Sequence, residues 1–446
     1  MSTFSESTFS GSAFSTVTFP TVHWPLSAAQ RDLWLPLGHE SARRHGWDDP
    51  VHAIAQYVDI QGSVDLSTFR NAVEQAVAEA ECLHLRFTVD DDQVWQHVSP
   101  VRSVPLTVVD LSDQAEPLAA ALTWMRADTG RSVELINGPL YRHALLVVAD
   151  DRFLWYYRTH NIVLDDYGCF LLNRRVADLY SARTAGRAGG EPFGSLRSVI
   201  DEDARYTESA ACSRDRAFWT QRYADAPVPV SLADLTVPAT GRFLRRSVTL
   251  PPSVVQDWSE VADRCGTSWS TVVIATVASY LRHVTGVPEV VLGLPRMCRR
   301  RSVSLNVPCS VANIVPLRVE IAPDASLREV SRRVADEVLA VWPHERYRSE
   351  WLRHELHSGT RERRLYGPVV NVSPISYELW FGDHRGTSHP LAAGAVHDLT
   401  VTVHAGDAGA DLRVDFDANP AMYTADDLTV HLRAFLDLLD TAPTRV

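Results

Sequence analysis

The chain has 446 residues, and single hydrophobic cores stop growing near ~250–300 residues, so two lobes of about 200 residues each are expected. Hydrophobic residues make up 45% and charged residues 22%, an ordinary globular balance that excludes fibrous and largely disordered classes. Asp plus Glu number 55 against 43 Lys plus Arg, a formal charge of -12, which argues against nucleic acid and anionic membranes as partners.

Residues 1–22 are rich in Ser and Thr with Phe4, Phe9, Phe14 and Phe19 interspersed, too sparse for a core and expected to be a flexible tail. No basic segment followed by an apolar run opens the chain, so no secretory signal is read. Tyr57–Ile60 alternates like a strand, Gly62 turns the chain, and Phe69, Val73, Ala76, Val77 and Ala80 share one helical face. Phe153–Arg158 is an aromatic and aliphatic run with strand preference, followed by a polar cluster from Thr159 to Gly168 and an apolar helix over Phe170–Tyr180. Ser181–Gly194 has the Gly, Ala and Arg content of an exposed connection, and 181–215 is assigned as the linker between lobes at 23–180 and 216–446.

The strand-turn-helix order recurs at Arg246–Leu250, Pro251-Pro252 and the face Val254, Val255, Trp258, Val261 and Ala262, which suggests two lobes on one plan. Thr271–Leu281 is the longest apolar run and too short to span a bilayer. Leu412, Val414 and Phe416 alternate with charged residues as a half-buried strand, and Ala425–Leu439 is an amphipathic helix. The six cysteines lack a CxxC pair or a nearby His at ligand spacing. Neither a zinc site nor a disulfide framework is expected, and a cytoplasmic location fits. His344, His354 and His357 stand at helix-surface spacings without a metalloprotease pattern, so no metal is assigned.

Taken by itself, a His at a strand end is more often a satisfied core residue than a catalyst, and paired aspartates are most often turn or N-cap residues. The same segment, however, resembles the His-His-x-x-x-Asp-Gly motif of nonribosomal peptide synthetase condensation domains, altered here to His160-Asn161-Ile162-Val163-Leu164-Asp165-Asp166. Accompanying motifs stand in order. Pro25–Trp34 (PLSAAQRDLW) is similar to the family's opening motif, Leu83–Phe87 (LHLRF) to its Leu-Arg-x-Arg-Phe element, and Gly293–Ser302 with Asn313–Arg318 to its late motifs. The flavour is that of the enterobactin-type synthetase.

The resemblance covers about residues 24–440 and implies an α/β fold of two chloramphenicol-acetyltransferase-like lobes in a V-shaped pseudo-dimer. It implies peptidyl or acyl carrier proteins as partners, whose phosphopantetheine arms bring a thioester and an acceptor amine or alcohol to the motif, with no cofactor bound directly. Asn161 takes the position of the family's second, tunnel-facing His, and an amide cannot act as a general base. His160 matches the first, mainly structural, His. Asp165 matches the Asp that pairs with an Arg, here Arg299. Asp166 adds a carboxylate where the family has Gly. Asn161, His160 and Asp166 are thus the catalytic candidates, with Tyr167, Asn313 and Ser373 lining the tunnel; a strand serine satisfied by backbone is the other reading of Ser373.

Two functions follow from the altered motif. One is a free-standing acyltransferase that works by positioning. The other is a silent module similar to the X-domains of glycopeptide synthetases, binding a carrier protein and recruiting an accessory oxidative enzyme such as a cytochrome P450.

Overall fold

The computed structural model describes residues 22–34, 48–49, 51–90, 93–100, 105–136, 138–233, 237–356, 364–373, 378–404 and 411–441. The proposed tail, apart from Val22, lies outside them. Two six-stranded mixed sheets dominate the described chain. The first has the spatial order Leu379–Phe381, His384–Ala393, Ala53–Gln61, Arg152–His160, Tyr141–Ala149, Thr107–Asp110. The second runs Leu244–Leu250, Leu412–Ala418, Leu399–His404, Val369–Ser373, Glu289–Arg296, Asn313–Glu320.

Local sequence explains the elements that carry these sheets. In Arg152–His160 every residue after Arg152 is buried, as expected of a central strand covered on both faces, and Phe-Leu-Trp-Tyr-Tyr supplies the apolar bulk. Helix Leu66–Glu79 begins where the Asp65 carboxylate accepts the Thr68 N–H at 2.7 Å, and it buries Phe69, Ala72, Val73, Ala76 and Val77. Thr271–Leu281 lies in helix Trp269–Thr285, which Ser268 caps at the start and left-handed Gly286 at the end; ten of its residues are buried, so it is a core helix.

Two large hydrophobic cores correspond to the two sheets. One gathers Val58, Phe69, Trp155 and Leu172, the other Val273, Leu292, Val401 and Phe416. Residues 181–215 are mostly helical: helix Asp166–Thr184 runs into them, and Leu196–Thr207 and Ala210–Arg222 follow. Leu196, Val199 and Ile200 join the first core, whereas Trp219 and Tyr223 join the second, so the chain changes cores between Ile200 and Trp219.

The lobes are not separable by one cut. Strand His384–Ala393 pairs antiparallel with Ala53–Gln61 and so extends the first sheet with residues of the second half of the chain. Val307, Cys309 and Val311 also pack into the first core. A third tie is the ion pair of Asp32 with Arg348, 2.5 Å apart and largely buried.

Candidate active site

The altered motif spans the end of strand Arg152–His160 and the start of helix Asp166–Thr184. Asp165 is the helix N-cap, its Oδ1 accepting the Gly168 N–H at 2.8 Å. The same oxygen accepts from Arg299 Nη2 at 2.7 Å, and Oδ2 accepts the N–H groups of Val311 and Ala312, each at 3.0 Å. Arg299 is fully buried and also donates to the carbonyls of Ser304 (2.6 Å), Val307 (3.1 Å) and Cys309 (2.8 Å). The Tyr167 ring covers the guanidinium at 4.9 Å. With this many fixed partners, Asp165 and Arg299 pin residues 299–312 to the start of the helix; Arg299 Nε lacks a hydrogen-bond partner among the described residues but is fully buried, away from any reactant. A Cβ at Gly168 would stand 2.7 Å from Leu164 Cδ1 and 3.0 Å from the Cys309 carbonyl, which is why glycine occupies this close approach.

His160, expected among the catalytic groups, is fully buried and does not reach the cleft. Its Nδ1 accepts the Ile162 N–H at 3.0 Å, which places the imidazole proton on Nε2, and Nε2 donates to Asp49 Oδ2 at 3.0 Å. Burial pushes the pKa of this ring down against the pull of Asp49. A second histidine, His52, donates from Nδ1 to the same Asp49 oxygen at 2.6 Å. Burial alone would raise the Asp49 pKa, but the hydrogen bonds from His160 and His52 outweigh it and hold this carboxyl well below the usual carboxylate range. These three residues present ligand-type atoms within 4.8 Å of one another. Both imidazoles direct an N–H at the carboxylate, so a cation there would meet protons instead of electron pairs. The cluster is a hydrogen-bond network.

A cleft of about 2040 Å³ has Asn161, Asp166 and Tyr167 in its wall, together with residues of both sheets, among them His389 and Thr402. The Asn161 N–H donates to the His52 carbonyl at 2.8 Å, fixing the backbone. The side chain of Asn161 is partly exposed, and a Cβ at Gly394 would lie 3.5 Å from its Nδ2. Asp166 opens onto the water of the cleft yet is enclosed by protein on most sides. That enclosure, reinforced by the charge of Asp165, pushes its pKa up to about 6.

The other two candidates sit apart from this chemistry. Asn313 touches the cleft, but its Nδ2 donates to the carbonyls of Glu345 and Tyr347, both at 2.9 Å, so it serves to hold residues 345–349. Ser373 ends strand Val369–Ser373, paired with His404; its side chain lies outside the described residues. Sequence reasoning missed Asp49 and His52 altogether. Their link to the motif is the strand register that sets Ala53 opposite His160, for which a single sequence carries no signal.

Residues 21–445 match the family described as Condensation domain. The chain is 40% identical over 418 residues to a dimodular nonribosomal peptide synthase of Bacillus subtilis, covering 94% of this chain and 17% of that protein. It is 41% identical over 420 residues to the isonitrile lipopeptide synthase of Streptomyces coeruleorubidus, covering 94% and 28%. Enterobactin synthase component F of Escherichia coli is 29% identical over 91% of this chain and 31% of its own length. The chain therefore spans less than a third of the curated relatives named here. Among solved structures, a mutant starter condensation domain of rhizomide synthetase in complex with C8-CoA and Leu-SNAC superposes with a TM-score of 0.87 at 35% identity, covering 95% of this chain and 94% of that one. The first condensation domain of the calcium-dependent antibiotic synthetase gives 0.85 at 30%, covering 95% and 97%. The fold, the ordered motifs and these likenesses agree: the chain belongs to the condensation-domain family of nonribosomal peptide synthesis.

Proposed function

We propose that the chain is an acyltransferase that joins an acyl group, held as a thioester on the phosphopantetheine arm of a carrier protein, to an amine or alcohol acceptor. The observation that carries this reading is Asn161. It stands on the cleft wall with its backbone fixed by His52, at the position where the motif's resemblance puts the tunnel-facing histidine. An amide N–H held there can donate to the thioester oxygen as negative charge develops on it. An α-amino acceptor has a pKa of about 7.7–8.0, so roughly a tenth is neutral at pH 7. Holding it against a thioester can supply about 7–11 kcal/mol of the barrier. A starter condensation domain of similar structure was solved in complex with C8-CoA and Leu-SNAC, which supports an acyl donor and an aminoacyl acceptor for this chain.

The recruitment reading receives no such support, because the relatives named above carry synthase or condensation names. The test is turnover of acyl-carrier thioesters with a panel of amines, followed by mass spectrometry of the carrier arm. Asn161→Ala is expected to lower turnover by at least about tenfold, and Asn161→His to be tolerated or to raise it. Inactivity of the wild-type chain over a broad panel, with retained binding of carrier protein, would return the recruitment reading.

A further inference from the structure

The motif lost its imidazole at position 161, yet an imidazole remains at the same wall of the cleft. His52 is 9% exposed, belongs to the cleft wall, and gives its main-chain carbonyl to the Asn161 N–H. Asp49, fully buried, fixes this ring. Its Oδ1 accepts the N–H groups of Val51 (2.6 Å) and His52 (3.3 Å), and its Oδ2 accepts from His52 Nδ1. His160 supplies the second donor to Oδ2 and has no other way to use its Nε2 proton.

The tautomer follows from this count. Asp49 is ionised and can only accept, so the proton of neutral His52 sits on Nδ1 and the lone pair on Nε2. Among the described residues Nε2 has no hydrogen-bond partner. A carboxylate that orients an imidazole through one nitrogen and leaves the other free to take a proton is the arrangement of an activated general base.

We infer that His52, oriented by Asp49, is the catalytic base that removes the acceptor's proton, in place of the imidazole absent at position 161. The inference rests on the acyl-transfer reading above. The acceptor nitrogen attacks the thioester carbonyl, a C–N bond forms and the C–S bond breaks. One amine proton passes to His52 Nε2 and from there to the departing sulfur, leaving a free thiol on the arm and His52 neutral again. Asn161 is left to hold the carbonyl oxygen, a division of labour between two side chains.

The groups facing His52 from the elements packed against it are Asp49, His160 and His397. His160 is spent on Asp49. His397 is pushed down to about 4 by burial first, then by His52 and Arg364, so it is neutral at pH 7.

The experiment measures kcat and KM against pH for the wild type and for His52→Gln, Asp49→Asn and His397→Gln, using acyl and aminoacyl thioesters of a pantetheine mimic, with melting curves as the check on folding. His52→Gln is expected to lower kcat at least about 100-fold with KM changed only a few-fold, and to remove the acid limb of the kcat profile. Added imidazole should restore part of the rate to His52→Ala. Asp49→Asn should lower kcat at all pH values although His52 is intact, because an amide at 49 can donate to Nδ1 and drive the proton onto Nε2.

An active wild type with equally active His52→Gln overturns the inference and leaves acyl transfer standing. So does an acid limb that disappears in His397→Gln and persists in His52→Gln. A wild type inactive on every substrate removes acyl transfer and this inference together. Nitrogen-15 spectra of the imidazoles decide independently of turnover, even if His52→Gln does not fold: a neutral His52 carrying its proton on Nε2 in the wild type overturns the assignment.

Discussion

Adjacent carboxyls at the head of one helix have opposite fates. Asp165 spends its oxygens on Gly168, Arg299, Val311 and Ala312, and removing it would leave the buried Arg299 guanidinium without its counter-charge. Asp165→Ala is therefore expected to cost roughly 3–5 kcal/mol, read as a lower midpoint in urea unfolding; an unchanged midpoint would show that the carbonyls around Arg299 suffice. Asp166, one residue on, has no hydrogen-bonded cation among the described residues, and its pKa is pushed up to about 6 by enclosure and by Asp165. A raised carboxyl binds its proton more tightly folded than unfolded, so its ionisation erodes stability as pH rises from the ordinary value of 3.8 towards about 6. Asp166→Asn should consequently melt higher than the wild type at pH 7, with the difference vanishing below about pH 4. A gap that stays constant with pH would mean that the charge at 166 is not what the substitution relieves.

At the scale of elements, legibility depended on how far a residue's partners lie along the chain. Helix Leu66–Glu79 and helix Ala425–Thr441 announce themselves through one apolar face, because a single core covers each of them, and strand Ala53–Gln61 shows through its apolar positions although a core packs on each of its faces. Strand His384–Ala393 does not. Its sequence HRGTSHPLAA is polar, contains a proline, and shifts register between Pro390 and Ala392, so no period of two survives to be read. Linker composition at Ser181–Gly194 hid the two helices that follow it, Leu196–Thr207 and Ala210–Arg222, which sit on neighbouring cores. The site was legible where the motif is contiguous, from His160 to Asp166. It was illegible at Asp49 and His52, which reach the motif only through the pairing of Ala53 with His160. His160 itself was misplaced as a reactant because sequence shows its neighbours along the chain and not the carboxylate that occupies it.

For the whole molecule, the ties that cross between the halves include the strand His384–Ala393 in the first sheet, the Asp165–Arg299 anchor, the packing of Val307, Cys309 and Val311 into the first core, and the Asp32–Arg348 pair. Together they outweigh the usual independence of domains joined by one connection. Calorimetry is expected to show one cooperative unfolding transition, and two resolved peaks would mean that each core melts alone. The same ties keep the cleft walls in fixed relation, which a reaction dependent on positioning requires.

The threaded strand also constrains the order in which this protein comes into being. Ala53–Gln61 leaves the ribosome with Val58 and Ile60 destined for full burial, but the strand that covers its open edge ends about 330 residues later. At ordinary elongation rates that is roughly 15–65 s during which a long, apolar strand edge has no mate of its own chain. The nascent first half is thus a partner for any passing strand, and its safe passage depends on chaperone cover or on slow collapse until residue 393 arrives.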